Sequence, residues 1–378
     1  MPIVLAFIIV AVSSVAITYK TYTGYVDYRL PAKIGFLLFL ILGWCAPLLA
    51  FAIRHKYSTG WQVNLTEGLY FFFGFVFFLF VITLTRDILW VLFDLIRRAP
   101  MEEMKNPVVL KKVNIFTFIF CFLFCLYGIY EAKKDAPVKT YDIISPKVKK
   151  ETKIIMLSDL HIDVNVPVSY VKNLVERVNA LNPDAIVLVG DVIDNSSYNL
   201  YSQMEELQKL KAKDGVYVTL GNHEFYAGVF DWIIKFGKMQ YTILNNMGTK
   251  LDDTGIYLAG IPDINAAQAN NVKINLPQTL RQATKDDFVI MLSHTPKIIE
   301  GMDKDKIDLM LSGHTHGGQI FPFHYFVMQA NQGRLAGFYN DNGIKMYISR
   351  GTRYWGPPMR VFAPSEIAVF NLKPEKNV

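Results

Sequence analysis

Four apolar stretches crowd into the first 130 residues, and nothing else in the chain restricts its folding so strongly. They run from Ile3 to Thr18, Ile34 to Ile53, Gly68 to Thr85 and Val113 to Tyr130. Each approaches the roughly 20 apolar residues that cover the hydrocarbon core of a bilayer. The spacing therefore predicts a four-helix transmembrane region over residues 1–131, with spans at about 3–18, 34–53, 68–85 and 113–130. The first stretch lacks the basic n-region of a signal peptide, and three further spans follow it. Tyr19, Tyr22, Tyr25, Tyr28, Trp44, Trp61 and Tyr70 fall near span ends, where interfacial aromatics collect. Residues 88–96, bracketed by Arg86, Asp87, Asp94, Arg97 and Arg98, read as an amphipathic extension lying at the interface.

The net charge of +6 follows this division. Residues 1–135 hold 13 Lys+Arg against 8 Asp+Glu, whereas residues 136–378 hold 26 against 25. The basic excess thus flanks the spans instead of forming a nucleic-acid footprint, and no duplex nucleic acid is expected as a partner. Lys20, Arg29 and Lys33 in the first loop, with Arg86, Arg97, Arg98, Lys105, Lys111 and Lys112 around the third, predict cytoplasmic loops there. The expectation is a multi-pass cell-membrane protein whose C-terminal part lies on the extracytoplasmic side. Lys133, Lys134, Lys139, Lys147, Lys149 and Lys150 oppose it, but large domains cross membranes with little regard for charge. Cys45, Cys121 and Cys125 all lie in apolar runs, so the rest of the chain has neither a disulfide framework nor a CxxC knot. Residues 132–150 are polar with two prolines and read as a linker, or as a strand leading into the next domain.

From residue 151 to 373 the pattern changes to short apolar runs that end in polar residues. Lys153–Leu157 ends in Ser158-Asp159, Ala185–Val189 in Gly190-Asp191, and Val216–Leu220 in Gly221-Asn222. Phe288–Leu292 ends in Ser293-His294, and Asp308–Leu311 in Ser312-Gly313-His314. Near-continuous apolar runs mark strands covered on both faces. Helical periodicity at Val168–Ala180, Leu200–Lys211 and Val229–Lys238 gives the alternation of an α/β fold, and Lys345–Ser349 and Ile367–Leu372 are further strands.

Five successive strands thus deliver Asp, Asn or His at their C-terminal ends, where open α/β sheets build their sites. Of the seven histidines, His161, His223, His294, His314 and His316 sit just after these strands, and only His55 and His324 lie elsewhere. Asp159, His161, Asp191, Asn222, His294, His314 and His316 form a mixed N/O donor set without thiolate, which suits Mn²⁺, Fe, Zn²⁺, Ni²⁺ or Co²⁺. Seven donors exceed what one catalytic ion uses, and two divalent ions sharing a carboxylate account for them.

The motifs DxH (Asp159 to His161), GDxxD (Gly190 to Asp194), GNHE (Gly221 to Glu224), His294 and GHTHGGQ (Gly313 to Gln319) stand in one order. In that order they resemble the calcineurin-like metallophosphoesterase superfamily over about residues 150–372. GHTHGGQ and the closing Arg350-Gly351, Arg360 and Pro364-x-Glu366 are similar to a membrane-associated bacterial branch. That branch includes phosphodiesterases and a UDP-diacylglucosamine pyrophosphatase. The resemblance implies a four-layer α/β/β/α sandwich. It also implies one ion on Asp159, His161, Asp191 and His316, and a second on Asp191, Asn222, His294 and His314. A metal-bridging hydroxide would attack phosphorus, with His223 as charge stabiliser or acid.

Other residues stay open between roles. Asp194 reads as a supporting or turn-stabilising carboxylate, Glu224 as orienting His223 or facing a loop, and Asp163 as a loop-surface residue. Gly313, Gly317 and Gly318 suit close backbone approach. Arg350, Arg353 and Arg360 could clamp a phosphate or form structural salt bridges, and Arg350 is the candidate for substrate binding. The Phe321–Phe326 segment around His324 reads as a core-packed hairpin, or as a segment that dips towards lipid or holds an acyl chain. The leading function is a membrane-anchored phosphohydrolase cleaving phosphodiester or pyrophosphate bonds, plausibly of lipid-linked substrates. A nucleotide or nucleic-acid phosphodiesterase and a non-catalytic membrane sensor of a phosphorylated ligand are the alternatives. Oligomeric state is not encoded in these patterns.

Overall fold

The computed structural model describes residues 2–56, 60–98, 106–302, 304–341 and 343–375. The side chains of residues 2–4, 6 and 54–56 lie outside that description, among them His55, as does Lys105 of the third loop. The chain divides into two compact units, residues 1–133 with 356–359, and residues 134–355 with 360–378.

The first unit contains α1 (Pro2–Thr23), α2 (Leu30–Lys56), α3 (Gly60–Arg97) and α4 (Pro107–Lys133). Leu30–Ile53, Gly60–Arg97 and Pro107–Lys133 are each long and apolar enough to cross a membrane, and the apolar part of α1, Phe7–Thr23, is shorter. Helices are the natural outcome, because in lipid every backbone polar group must be satisfied within its own segment. Aromatic rings knit them together: Trp44 meets Phe73 at 5.5 Å, and Phe75 meets Phe118 at 4.8 Å.

Residues 88–96 extend the third span as a continuation of α3, a single helix of 38 residues. Its length is about 57 Å at 1.5 Å per residue, against roughly 30 Å of hydrocarbon. The charged pair that breaks the apolar run is accommodated by neighbouring helices. Arg86 donates from Nη1 to Asn114 Oδ1 (2.8 Å) and from Nε to Asp87 Oδ1 (2.9 Å), while Thr21 Oγ1 donates to Asp87 Oδ2 (2.9 Å). Charges held among apolar helices are costly unless paired in this way.

In the second unit the strands are β1 (Val138–Ser145), β2 (Thr152–Leu157), β3 (Ala185–Val189), β4 (Val216–Thr219), β5 (Thr242–Ile243), β6 (Met247–Leu251), β7 (Ile256–Gly260), β8 (Phe288–Leu292), β9 (Leu309–Ser312), β10 (Gly337–Asp341), β11 (Ile344–Ile348) and β12 (Ile367–Pro374). The helices are α5 (Val168–Asn179), α6 (Tyr201–Leu207), α7 (Asn222–Tyr226), α8 (Val229–Lys238), α9 (Ile264–Ala269), α10 (Leu276–Thr279) and α11 (Phe323–Ala330). They make two six-stranded sheets, ordered β1-β12-β2-β3-β4-β5 and β10-β11-β9-β8-β7-β6. β2 to β5 are parallel, as are β7, β8, β9 and β11.

The period of two in each strand sorts its side chains between layers. Ile154 and Met156 of β2, with Ala185, Val187 and Val189 of β3, point into a core shared with Ile290, Leu292, Leu309 and Leu311 of the other sheet. Ile155, Leu157, Ile186 and Leu188 point the other way, against Val171, Leu174 and Val178 of α5, Met204 of α6, and Trp232 and Phe236 of α8. On the far side, Val289, Met291, Met310 and Met346 pack with Leu276 of α10 and Ile264 of α9. Helix, sheet, sheet, helix is the four-layer sandwich.

Within residues 132–150 the strand alternative holds: β1 forms and pairs in parallel with β12 along its whole length. Two local expectations are revised. The ligand-bearing strands are not successive, because β5, β6 and β7 come between β4 and β8. The Phe321–Phe326 segment is no hairpin: residues 323–330 form α11, in which no residue is buried.

Candidate metal centre

β2, β3 and β4 lie side by side in parallel, so their C-terminal ends open in one row. β8 and β9 do the same on the facing sheet. The first row carries Asp159, His161, Asp191, Asn222 and His223, and the second carries His294, His314 and His316. The backbone turns sharply there. Asp159 (φ 55°), His161 (43°), Asp191 (50°), His314 (70°) and His316 (50°) all adopt left-handed conformations. Asp and His tolerate that region better than most residues, at a cost on the order of 1–3 kcal/mol each. Such turns cluster where surrounding packing must aim a side chain.

Six of the seven expected ligands gather in two groups. Donor atoms of Asp159, His161 and His316 lie within 4.8 Å of one another, as do those of Asp191, His294 and His314. His161 Nε2 is 3.0 Å from His316 Nε2, His316 Nε2 is 3.4 Å from Asp159 Oδ1, and His294 Nε2 is 3.0 Å from Asp191 Oδ2. These separations match ligands that share an ion at about 2.1 Å. Asp191 Oδ2 is also 3.8 Å from His161 Nε2, which puts this carboxylate between the two groups.

Two polar atoms test whether ions belong there. Asn222 Oδ1 and His294 Nε2 are buried without a hydrogen-bond partner, a state that costs about 1–3 kcal/mol per group unless something compensates it. His294 Nδ1 donates to Val189 O at 2.8 Å, which leaves the Nε2 lone pair facing Asp191. Burial favours the neutral ring of His294, yet the Asp191 carboxylate beside it holds its pKa well above the usual range. Asp191 in turn, although buried, is held low, first by His294. A proton is drawn to the position that a cation would fill. Burial, then the neighbouring His161 and Arg360, push His316 well down and keep its ring neutral, as ligation requires.

Asp194 is a connector, consistent with a supporting carboxylate. Its Oδ1 lies 2.6 Å from His161 Nδ1 and 2.7 Å from His223 Nδ1, both hydrogen-bond distances. One oxygen therefore orients a ligand histidine and the GNHE histidine together. Burial lowers the pKa of His223, but the Asp194 hydrogen bond and the charges of Asp191 and Asp194 outweigh it and leave the pKa raised.

Glu224 takes neither role foreseen for it. Fully buried, it accepts from the amides of Gly221 (2.7 Å) and Asp191 (3.0 Å) through Oε2, and from Val192 (2.8 Å) and Ile193 (3.2 Å) through Oε1. It fixes the turn that presents Asp191. Asp163 is buried rather than on a loop surface, and its Oδ1 accepts from Asn165 N at 2.8 Å. Gly313 packs so tightly that a Cβ would land on Ser158 Oγ and Asp159 Oδ2, which explains a glycine before His314.

The three arginines act on the chain itself. Arg360, fully buried, donates to the carbonyls of His316 (3.2 Å), Arg350 (2.8 Å), Arg353 (2.8 Å) and Ala363 (2.6 Å). Arg353 Nη1 donates to His161 O at 3.2 Å, and Arg350 Nη1 lies 3.4 Å from Glu366 Oε2. Spacing gives no hint of the aromatic rim beside them. Trp355 lies 5.7 Å and Tyr226 5.3 Å from the His223 ring, and both are exposed. Gln319 holds Trp355 by two bonds, Nε2 to its carbonyl (2.8 Å) and Oε1 from its amide (2.9 Å). That gives the last residue of GHTHGGQ a role.

Comparison with known proteins agrees with this geometry. The profile described as calcineurin-like phosphoesterase matches residues 152–318. An uncharacterized metallophosphoesterase of Campylobacter jejuni is 33% identical over 91% of this chain and 90% of its own length. An uncharacterized metallophosphoesterase of Helicobacter pylori is 36% identical over 66% of this chain and 67% of its own. A transmembrane protein with metallophosphoesterase domain from Danio rerio is 31% identical over 69% of this chain and 62% of its own.

Proposed function

This chain belongs to the calcineurin-like phosphoesterase family, metal-dependent hydrolases with a dinuclear centre, and from that premise we propose that it cleaves phosphodiester or pyrophosphate bonds of lipid-linked substrates at the membrane. One observation carries the reading: donor atoms of Asp159, His161 and His316, and those of Asp191, His294 and His314, gather within 4.8 Å of one another, and the buried Asn222 Oδ1 has no hydrogen-bond partner. Asp159, His161, Asp191 and His316 would hold one divalent ion, and Asp191, Asn222, His294 and His314 the other. When bound, the two ions supply Lewis acidity toward phosphoryl oxygen and an activated water.

The chain's own groups do the remainder. Glu224 and Gly313 fix Asp191 and Asp159 so that both carboxylates face inward. Asp194 orders His161 and His223 through one oxygen. His223, its Nδ1 committed to Asp194, keeps Nε2 for the substrate, to stabilise developing charge or to give a proton to the leaving oxygen. Apolar helices long enough to span the bilayer support a lipid-linked substrate. The basic loops support an extracytoplasmic catalytic unit.

The test uses the full chain in detergent with Mn²⁺ and bis-p-nitrophenyl phosphate. Turnover should fall more than about a hundredfold in Asp191→Ala and in His314→Ala, beyond what loss of a supporting residue costs. Robust turnover in both variants would overturn the assignment.

A further inference from the structure

α11 is the exception among the helices of the second unit. Each of α5 to α10 buries part of itself, whereas no residue of α11 is buried. Its sequence, FHYFVMQA, contains no Asp, Glu, Lys or Arg. Tyr325 is 62% exposed and Phe326 67%. Phe362, 64% exposed, meets the Phe321 ring at 5.8 Å and extends the patch. In water such a surface is a liability of roughly 25 cal/mol per Å², and contiguous apolar patches mark contact with a partner or a membrane.

The patch is rigidly joined to the metal centre. α11 follows the ligand loop by only a few residues, and a Cβ on Gly318 (φ 76°) would reach the His324 backbone at 2.5 Å. The intervening Gln319 holds Trp355 beside His223.

Covalent connection identifies the partner. Residues 134–137 alone separate α4 from β1, a reach of about 17 Å when fully extended. α4 is long and apolar enough to cross a bilayer, and so short a tether restricts how far the unit carrying this uncharged aromatic helix can move from it. Exposed Phe and Tyr on a short helix are the side chains that favour the boundary between headgroups and acyl chains.

We propose that α11, with Phe362, inserts into the headgroup–acyl boundary of that same bilayer, and that the metal centre therefore takes its substrate laterally, as a phosphoester carrying an acyl or prenyl anchor. The second part rests on the phosphohydrolase reading of the site; the first does not. Insertion brings the ligand loop to headgroup depth, so the phosphorus of an anchored lipid is reached without extraction of its tail.

Two measurements on the full chain in phosphatidylcholine vesicles test this. A fluorophore is attached at Phe326→Cys, or at Asn340→Cys on the exposed face of β10, with Cys45, Cys121 and Cys125 replaced by Ala. Shallow nitroxide lipids should quench the label at 326 by about half or more and leave that at 340 nearly unchanged, as insertion of about 5–10 Å requires. Equal quenching at both sites, or none at 326, overturns insertion. In the second measurement, Phe323→Ser/Phe326→Ser should lower kcat/KM for a vesicle-borne diacylglycerol p-nitrophenyl phosphodiester at least about fivefold. The same variant should turn over soluble bis-p-nitrophenyl phosphate within about twofold of the parent, because neither ring belongs to the catalytic machinery. Equal loss on both substrates, or loss on neither, overturns lateral supply. Failure of the parent chain to hydrolyse either substrate overturns the phosphohydrolase reading, and quenching still decides insertion.

Discussion

Replacing Glu224 by glutamine changes one atom at the root of the site, and its consequence can be worked out from the four amides it serves. The carboxylate is fully buried, with two N–H donors on each oxygen at 2.7–3.2 Å. In Glu224→Gln one oxygen becomes an NH₂ group, so two amides face a donor. Hydrogen bonds to a charged acceptor contribute about 1.5–3 kcal/mol each, and two losses amount to about 3–6 kcal/mol. Part is returned. Burial, and then the charge of Asp191, push the Glu224 carboxyl up to about 7 against the pull of its amides, so removing the charge relieves some desolvation. We expect a net loss of about 2–4 kcal/mol, which lowers the Tm of a unit of this size by about 5–12 °C. The amides of Asp191, Val192 and Ile193 are among the four, so the turn carrying Asp191, the proposed shared ligand, loosens, and Mn²⁺ affinity should fall about 10–100-fold. Thermal unfolding in detergent without added metal, with calorimetric Mn²⁺ titration, measures both. A Tm within about 1 °C of the parent and an unchanged affinity would refute the reasoning.

Two further outcomes follow from the same geometry. Asp194 raises the pKa of His223, so in Asp194→Asn the imidazolium is lost at lower pH. The alkaline limb of the kcat/KM profile should then move towards acid, with a rate loss of about 10–100-fold; an unmoved limb removes Asp194 from proton control. From the proposed extracytoplasmic placement, protease added to intact cells should cut within residues 134–375, and protection until the membrane is opened would reverse the topology.

Much of the site is legible in the sequence because buried strands advertise themselves. Runs such as AIVLV at Ala185–Val189 are covered on both faces, and the polar residue after each stands out against them. β7 is as thoroughly buried, but IYLAG ends in glycine and carries no ligand, so no chemistry draws attention to it. How α3 continues through Arg86-Asp87 is not legible, because the groups that accommodate the pair, Asn114 and Thr21, come from other helices. Glu224 and Gln319 are conspicuous inside their motifs, yet their roles lie in main-chain bonds to Asp191 and Trp355, which residue spacing does not encode. The left-handed turns at five ligands are similarly silent, since Asp and His also occupy ordinary conformations.

The division of the donor set between two sheets has a consequence for the life of the protein in a cell. Each proposed ion takes ligands from both halves of the sandwich, Asp159, His161, Asp191 or Asn222 from one and His294, His314 or His316 from the other. Binding only to the assembled state, the ions add stability that grows with the logarithm of their free concentration, about 2.7 kcal/mol at a hundred times Kd. Metal supply therefore governs more than turnover. A starved cell would hold a population whose two sheets part more readily and which proteases clear sooner, so that the amount of the enzyme and its activity fall through the same variable.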